Sequence, residues 1–259
     1  LGILAWRMIR KERDQSFMRR SLQVAAAAAL IGSAMVGLVG HSQAQHMIRT
    51  QPMKMAAAEA LWDTEQPASM SLLTIGDMTN RRDVFAIRVP ALLSILACNR
   101  TDCAVQGIND LQAQYEAKYG PGNYVPFVVL IYWAFRAMVG AGTLMVALGA
   151  GALYMALRNR FGMPKWLLRL LPFMLFLPYL ANSAGWILTE MGRQPWIVFG
   201  VLRTQDAVSP NVPAGTVLAS VVGFTLLYAV LIVADVYLLA KYAKADPQEV
   251  ANDVVPAWA

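Results

Sequence analysis

Residues 125–157 read VPFVVLIYWAFRAMVGAGTLMVALGAGALYMAL, an apolar run interrupted by one charge, Arg136. A bilayer core is crossed by about 20 apolar residues in a helix, so this run is long enough to span it with turns to spare at the interface. Three further stretches share its character. They are SLQVAAAAALIGSAMVGLVG at 21–40, LLRLLPFMLFLPYLANSAGWILTE at 167–190 and TVLASVVGFTLLYAVLIVADVYLL at 216–239. The chain opens on LGILAW, which reads as the tail of a span that begins before Leu1. The fold expected is an all-α integral membrane protein with four whole transmembrane helices plus the tail of a fifth.

Composition agrees. The chain is 57% hydrophobic and 15% charged, too apolar for an ordinary soluble domain of 259 residues. Its net charge of +6 does not point to nucleic acid, because the basic residues sit beside the apolar runs and mark topology instead. Arg7 to Arg20, Arg158 to Arg169, and Lys241 with Lys244 fall on one side if four spans separate them, and the positive-inside rule makes that side cytoplasmic. The expected order is a span end and basic loop (1–20), a span (21–40), a long outer loop (41–124), a span (125–157) and a cytoplasmic loop (158–166). A span (167–190), an outer loop (191–215), a span (216–239) and a cytoplasmic tail (240–259) complete it. The protein is expected in a bacterial or archaeal cytoplasmic membrane as a multi-pass protein, long loop outside and carboxyl terminus inside. Two cysteines in the outer loop, in CNRTDC, are either a disulfide in an oxidising compartment or two free thiols.

Charges inside apolar runs are costly and ask for a reason. Asn182, Trp186, Glu190 and Arg193 follow steps of four, four and three, which puts them on one helical stripe near Pro195. Either Glu190 and Arg193 pair and snorkel to water, or the stripe faces something buried. Arg136 needs a negative partner, a carboxylate or a haem propionate. Met138, Gly142, Met145 and Gly149 form a second stripe, fit for helix packing or for a flat group with a thioether ligand. The outer loop carries QPMKMAAAEALW, a short helix with Pro52 in its first turn. Lys54 and Glu59 on it are either solvated charges or a hydrogen-bond donor and a proton acceptor for a quinol. His41 and His46 read as polar boundary residues rather than metal ligands, and Asp235 as either an interhelical hydrogen bond or a proton-path acid.

Three segments together, QPMKMAAAEALW, YWAFRAMVG and GWILTEMGRQPW, resemble subunit I of the cytochrome bd quinol oxidases. The resemblance covers essentially the whole chain, as the carboxyl-terminal part of that subunit. It implies a nine-helix haem-binding subunit paired with a second, related membrane subunit and possibly a small accessory one. It implies oxidation of ubiquinol or menaquinol and reduction of dioxygen, with two haems b and a haem d or third haem b. On this resemblance Met138 matches the low-spin haem ligand and Glu190 the high-spin haem b ligand. Arg136, Trp186 and Arg193 match haem-neighbouring residues, and Lys54 and Glu59 the quinol pair. The family's histidine ligands match nothing here, neither His41 nor His46. The other classes open to such a sequence are a transporter and a non-catalytic membrane scaffold.

Overall fold

The computed structural model describes residues 1–9, 15–158 and 165–244. The basic loop at 10–14, the loop at 159–164 and the tail from 245 lie outside the described residues, and the expectations for them stand as sequence readings. The chain divides into two units, Leu1–Ala207 and Val208–Ala259.

The larger unit begins with α1 (Gly2–Ile9) and α2 (Gln15–Thr50). The apolar stretch expected to end at Gly40 runs on as helix for ten more residues, to Thr50. Nothing in HSQAQHMIRT breaks a helix; the stop comes at Gln51–Pro52, where proline disfavours helical backbone in the residue before it and cannot donate to the ladder. Pro52 then starts α3 (Pro52–Glu59), which ends on Ala60 in the left-handed region at φ 47°.

The all-α expectation is corrected in the outer loop. An antiparallel hairpin joins β1 (Met70–Asp77) and β2 (Arg82–Val89), with Thr74 opposite Ala86 and Ile75 opposite Phe85. These segments are rich in β-branched and aromatic residues, and the Asp77 carboxylate accepts from the backbone N–H groups of Thr79 and Asn80 to fix the turn. Helices α4 (Leu92–Cys98) and α5 (Ile108–Tyr119) complete the loop, and Cys98 and Cys103 are joined as a disulfide. Gly107 lets α5 begin against the chain after α3, since a Cβ there would lie 2.3 Å from the carbonyl carbon of Asp63.

Helix α6 (Val128–Leu157) follows, close to the expected 125–157. The stretch 167–190 is not one helix. It divides into α7 (Lys165–Leu170), a 3-10 turn (Leu171–Leu175) and α8 (Leu177–Gly192). Pro172 and Pro178 explain the division, because each removes a ladder donor and crowds the preceding turn. A short pair of strands, β3 (Trp196–Val198) and β4 (Leu202–Arg203), closes the unit after a 192–195 corner. The second unit, described by itself, is α9 (Ala214–Lys244), where Asp235 is the sole charge before Lys241. Among the described residues three helices are long and apolar enough to cross a membrane: Met18–Thr50, Val128–Leu157 and Ala214–Lys244.

In the larger unit α6 runs antiparallel to both α2 and α8. At one end Arg19 and Gln23 donate to the Ala156 carbonyl at 2.9 and 3.1 Å, and Leu22, Ala26, Leu148, Ala152 and Leu171 form a core. That end carries Arg19, Arg20 and Arg158. At the other end α3, α5, the start of α6 and the end of α8 share a core that includes Ala57, Leu111, Ile131, Leu188 and Trp196.

Candidate functional site

Helix α3 is the centre of that second core, and its charges are not solvated. Every residue from Met53 to Glu59 is buried, with Lys54 7% and Glu59 1% exposed. Sequence periodicity suggested a surface helix as one reading; α5 and α8, which arrive from far along the chain, cover it instead.

Glu59 meets Arg136 of α6 in a bidentate pair, with Nη2 to Oε2 at 2.8 Å and Nη1 to Oε1 at 3.2 Å. The backbone N–H of Ser71 donates to Oε2 at 3.1 Å. Arg136 thus has the negative partner its position required, and that partner is a carboxylate 77 residues earlier. Its guanidinium also lies 4.6 Å from the Tyr132 ring centroid. Ser71 Oγ, from the hairpin, bonds Tyr132 Oη at 2.8 Å and Thr74 Oγ1 at 2.7 Å. Burial pushes the Glu59 carboxyl above its ordinary pKa, and the hydrogen bonds and charge of Arg136 partly oppose that.

Lys54 points the other way, onto α8. A Cβ on Gly192 would lie 2.7 Å from Lys54 Cγ, so the glycine of GRQPW is what lets the lysine stem pass. Burial, then the nearby charge of Arg193, push the Lys54 ammonium down, while Glu190 pulls it up. Glu190 and Arg193 are paired across one helical turn, each about one-third exposed. The corner after them is held by Trp196 N–H to Arg193 O at 2.9 Å and Thr204 N–H to Pro195 O at 2.9 Å. Trp196 is buried, stacked on Tyr124 with centroids 5.8 Å apart and edge-on to Tyr119 at 4.9 Å. Arg203 covers Tyr124 and Trp196 from outside, 5.0 and 5.5 Å from their centroids.

Met138 faces α8 at Gly185, where a Cβ would lie 3.0 Å from its sulfur. Trp186, expected on the stripe with Glu190, is 67% exposed and packs into neither core. The structure therefore brings Lys54 of α3 together with Glu190 and Arg193, and separately Glu59 of α3 together with Arg136 of α6. It leaves Trp186 outside those contacts. His41 bonds Asn99 Oδ1 at 3.1 Å, as a polar boundary residue does.

Haem asks little of a protein in ligand number, because the macrocycle supplies four nitrogens and one or two side chains complete the iron. Among the described residues no cluster of three His, Cys, Asp or Glu could hold a bare metal ion. The thioether of Met138 and the carboxylate of Glu190 are donor types that haem iron accepts. Arg136 Nε and Arg193 Nε are buried without a protein partner, and both suit an anionic edge. Phe176, Tyr179, Leu180 and Trp186 leave an apolar, aromatic side of α8 exposed, suited to a flat ring. The residues fit the group.

Several contributors escaped the sequence reading. Ser71, Thr74 and Tyr132 carry no local signal, since their contact joins the hairpin to α6. Gln51 and Trp196 lay within the quoted motifs, and Tyr115 of α5 lies beside them around one small cavity.

The chain matches the family model for cytochrome bd terminal oxidase subunit I over residues 1–247. It is 40% identical over 256 residues to cytochrome bd ubiquinol oxidase subunit 1 of Bacillus subtilis (strain 168), covering 98% of this chain and 54% of that protein. It is 33% identical to a putative cytochrome bd menaquinol oxidase subunit I of the same organism, covering 95% of this chain and 54% of that one. Among solved structures it resembles the bd oxidase from Geobacillus thermodenitrificans, with a TM-score of 0.74 at 30% identity, over 95% of this chain and 54% of that one. The chain thus spans about half the length of the relatives it matches. With the three motifs assembled at one end of a helical membrane unit, this chain belongs to the cytochrome bd terminal oxidase subunit I family.

Proposed function

We propose that this chain works as part of subunit I of a quinol oxidase, which oxidises ubiquinol or menaquinol at the outer face and reduces dioxygen to water. The observation that carries the reading is the seating of Lys54 on Gly192, which joins the QPMKM helix to the TEMGRQPW corner. The family match weighs against the transporter and scaffold readings.

Each quinol that becomes quinone gives up two electrons and two protons. Lys54 donates a hydrogen bond to the quinol oxygen, and its position beside Glu190 and Arg193 brings that oxygen to the haem-side corner. Glu59, whose pKa burial raises, is the better proton acceptor for it. Arg136 holds Glu59 and balances its charge. Met138 would hold a low-spin haem b through its sulfur, and Glu190 a high-spin haem b through its carboxylate. Arg136 and Arg193 would balance the charge of haem carboxylates, and Trp186 would pack beside a haem. Bound haem supplies one-electron storage at iron and, where one face is open, a place for dioxygen. Two haems b with a haem d or a third haem b, a second membrane subunit and a small accessory subunit complete the complex. The long loop lies outside and the carboxyl terminus in the cytoplasm.

The test is a visible spectrum and quinol-dependent oxygen uptake of the full-length subunit in its complex. Met138→Leu is expected to shift the low-spin haem band, and Glu190→Ala to remove the high-spin haem b signal. Lys54→Ala is expected to cut quinol oxidation with haem content intact. Unchanged spectra in the first two, or normal turnover in the third, would overturn the corresponding assignment.

A further inference from the structure

The hairpin turn carries a residue that its backbone does not favour. Met78 to Arg81 link β1 to β2, and Arg81 closes the turn in the left-handed region at φ 51°. Glycine or asparagine adopts that conformation at less cost than arginine. The neighbouring cations are engaged. Arg82 faces Asp77 across the strand pair, and Arg88 bonds Asp83 at 2.9 Å. Among the described residues the Arg81 guanidinium has no carboxylate partner.

Arg81 lines a cavity of about 290 Å³, far more than one water or one ion needs. Met78 and Trp62 line it too, and Asn123, Val125 and Phe127 come from the chain that leads into α6. Trp62 spends its N–H on Asp83 at 2.8 Å, so it offers the ring alone. Asn123 Oδ1 accepts from the Val125 N–H at 3.1 Å, which leaves the amide nitrogen to donate. The side chains thus supply a guanidinium, an amide donor and apolar walls, and no carboxylate. That set selects an anion attached to something apolar. One guanidinium matches one phosphodiester, which carries a single negative charge and presents two oxygens to the planar fork. The place of the cavity narrows the choice further. Its residues 125–127 enter α6, a helix long and apolar enough to cross a membrane. Phe127, Leu130 and Trp133 are exposed there, and at 1.5 Å per residue Trp133 lies about 9 Å along the helix from Phe127. A surface that begins at a cation and continues as aromatic and aliphatic side chains along a span suits a headgroup and the acyl chain beneath it.

We infer that the cavity between the hairpin turn and the start of α6 binds the phosphodiester of a membrane phospholipid, with Arg81 on the phosphate and Phe127 against the first part of the acyl chain. The site shares no residue with the corner of Lys54 and Gly192. A bound lipid ties the hairpin to the bilayer, and the hairpin is the element that places the Ser71 N–H on Glu59.

The test uses the full-length subunit in its complex, delipidated in detergent and titrated with phosphatidylglycerol. Melting temperature and lipid retained in native mass spectrometry are followed together. Wild type is expected to gain melting temperature and to hold a lipid that Arg81→Gln and Arg81→Gly bind roughly tenfold more weakly, the loss of one charge-assisted contact. Without lipid Arg81→Gly should melt no lower than wild type, because glycine suits the left-handed backbone, so its lost lipid response is not a folding defect. Arg82→Gln removes the same charge one residue away and should keep the wild-type response. Phe127→Gln should weaken lipid binding, and inorganic phosphate should shift the melting of no form. An unchanged lipid response in both Arg81 variants overturns the inference. An equal loss in Arg82→Gln also overturns it, by marking a diffuse surface charge. If inorganic phosphate alone reproduces the shift, the site takes a free anion and the phospholipid is ruled out.

Discussion

The larger unit holds two arginine–glutamate pairs near α3, and they are built in opposite ways. Arg136 and Glu59 are 13% and 1% exposed, bidentate, and join α6 to α3 across 77 residues of sequence. Arg193 and Glu190 are 36% and 32% exposed and share one helical turn of α8. The first pair is enclosed by Ser71, Tyr132 and the hairpin; the second stands at a corner beside Lys54. A pair sealed on all sides holds two elements together and leaves a ligand only the unpaired Arg136 Nε. A pair left half open holds little together and can exchange partners. The same two residue types therefore form a clasp in one place and, on the proposed function, a site in the other.

Removing one member of the clasp has the largest expected effect. Arg136→Gln leaves Glu59 buried without a counter-charge, which costs about 3–5 kcal/mol in comparable cases. The loss depends on pH, and its sign follows from the Glu59 shift. Burial already raises the folded-state pKa above the ordinary value of 4.5, and taking away Arg136 removes the main opposing influence. A carboxyl with a raised folded pKa binds its proton more readily folded than unfolded. Stability is therefore greatest at acid pH and falls as pH rises from about the ordinary carboxyl value through the folded one. Thermal melting of the variant between pH 5 and 8 should show the defect growing with pH. A pH-independent defect would mean that Glu59 is not the group left exposed to the loss.

Gly192→Ala comes next. The new methyl meets Lys54 at its Cγ, near the base of the side chain, where rotation alone gives little relief. Overpacking of this kind costs about 1–3 kcal/mol. KM for quinol should rise with it, because the lysine is displaced from the corner. A variant with lowered melting temperature and unchanged KM would separate Lys54 from substrate binding.

How much of this was legible in the sequence depends on how far apart the partners lie. The apolar runs at 125–157 and 216–239 announced α6 and α9, since a helix in lipid satisfies its own backbone. Arg136 announced that it needed an anion, but nothing near it in sequence could name Glu59. The break in 167–190 was readable at Pro172 and Pro178, yet the apolar content of the run dominated the reading. The hairpin was hidden because 70–89 sits in a long polar loop where its alternation is short and interrupted by bulges at Ser71/Leu73 and Ile75/Gly76. Glu190 and Arg193, three apart, were legible as a pair from spacing alone. The burial of α3 was not, because the covering residues come from α5 and α8.

Glu190→Gln is expected to cost about 0–1 kcal/mol of stability, the range for a partly exposed pair within one helix. Its effect should appear instead in the haem b spectrum, since a neutral amide is a poor substitute for an anionic axial donor. That split, small in melting temperature and large in absorption, is what distinguishes a site from a clasp. An equally large loss in both measurements would place Glu190 with Glu59 and dissolve the contrast.

The smallest effect sets the zero of the scale. Arg100 and Asp102 also pair, through two hydrogen bonds at 3.0 and 2.9 Å, but their side chains are 71% and 63% exposed. They lie two residues apart within the disulfide-closed loop, so the pair connects nothing that the chain does not already connect. Water and salt screen it, and ordering two mobile side chains offsets the attraction that remains. Arg100→Ala should leave the melting temperature, the spectrum and KM for quinol unchanged at physiological ionic strength. A loss as large as that of Glu190→Gln would show that exposure does not rank these pairs, and the order from clasp to site to solvated pair would have to rest on something other than burial.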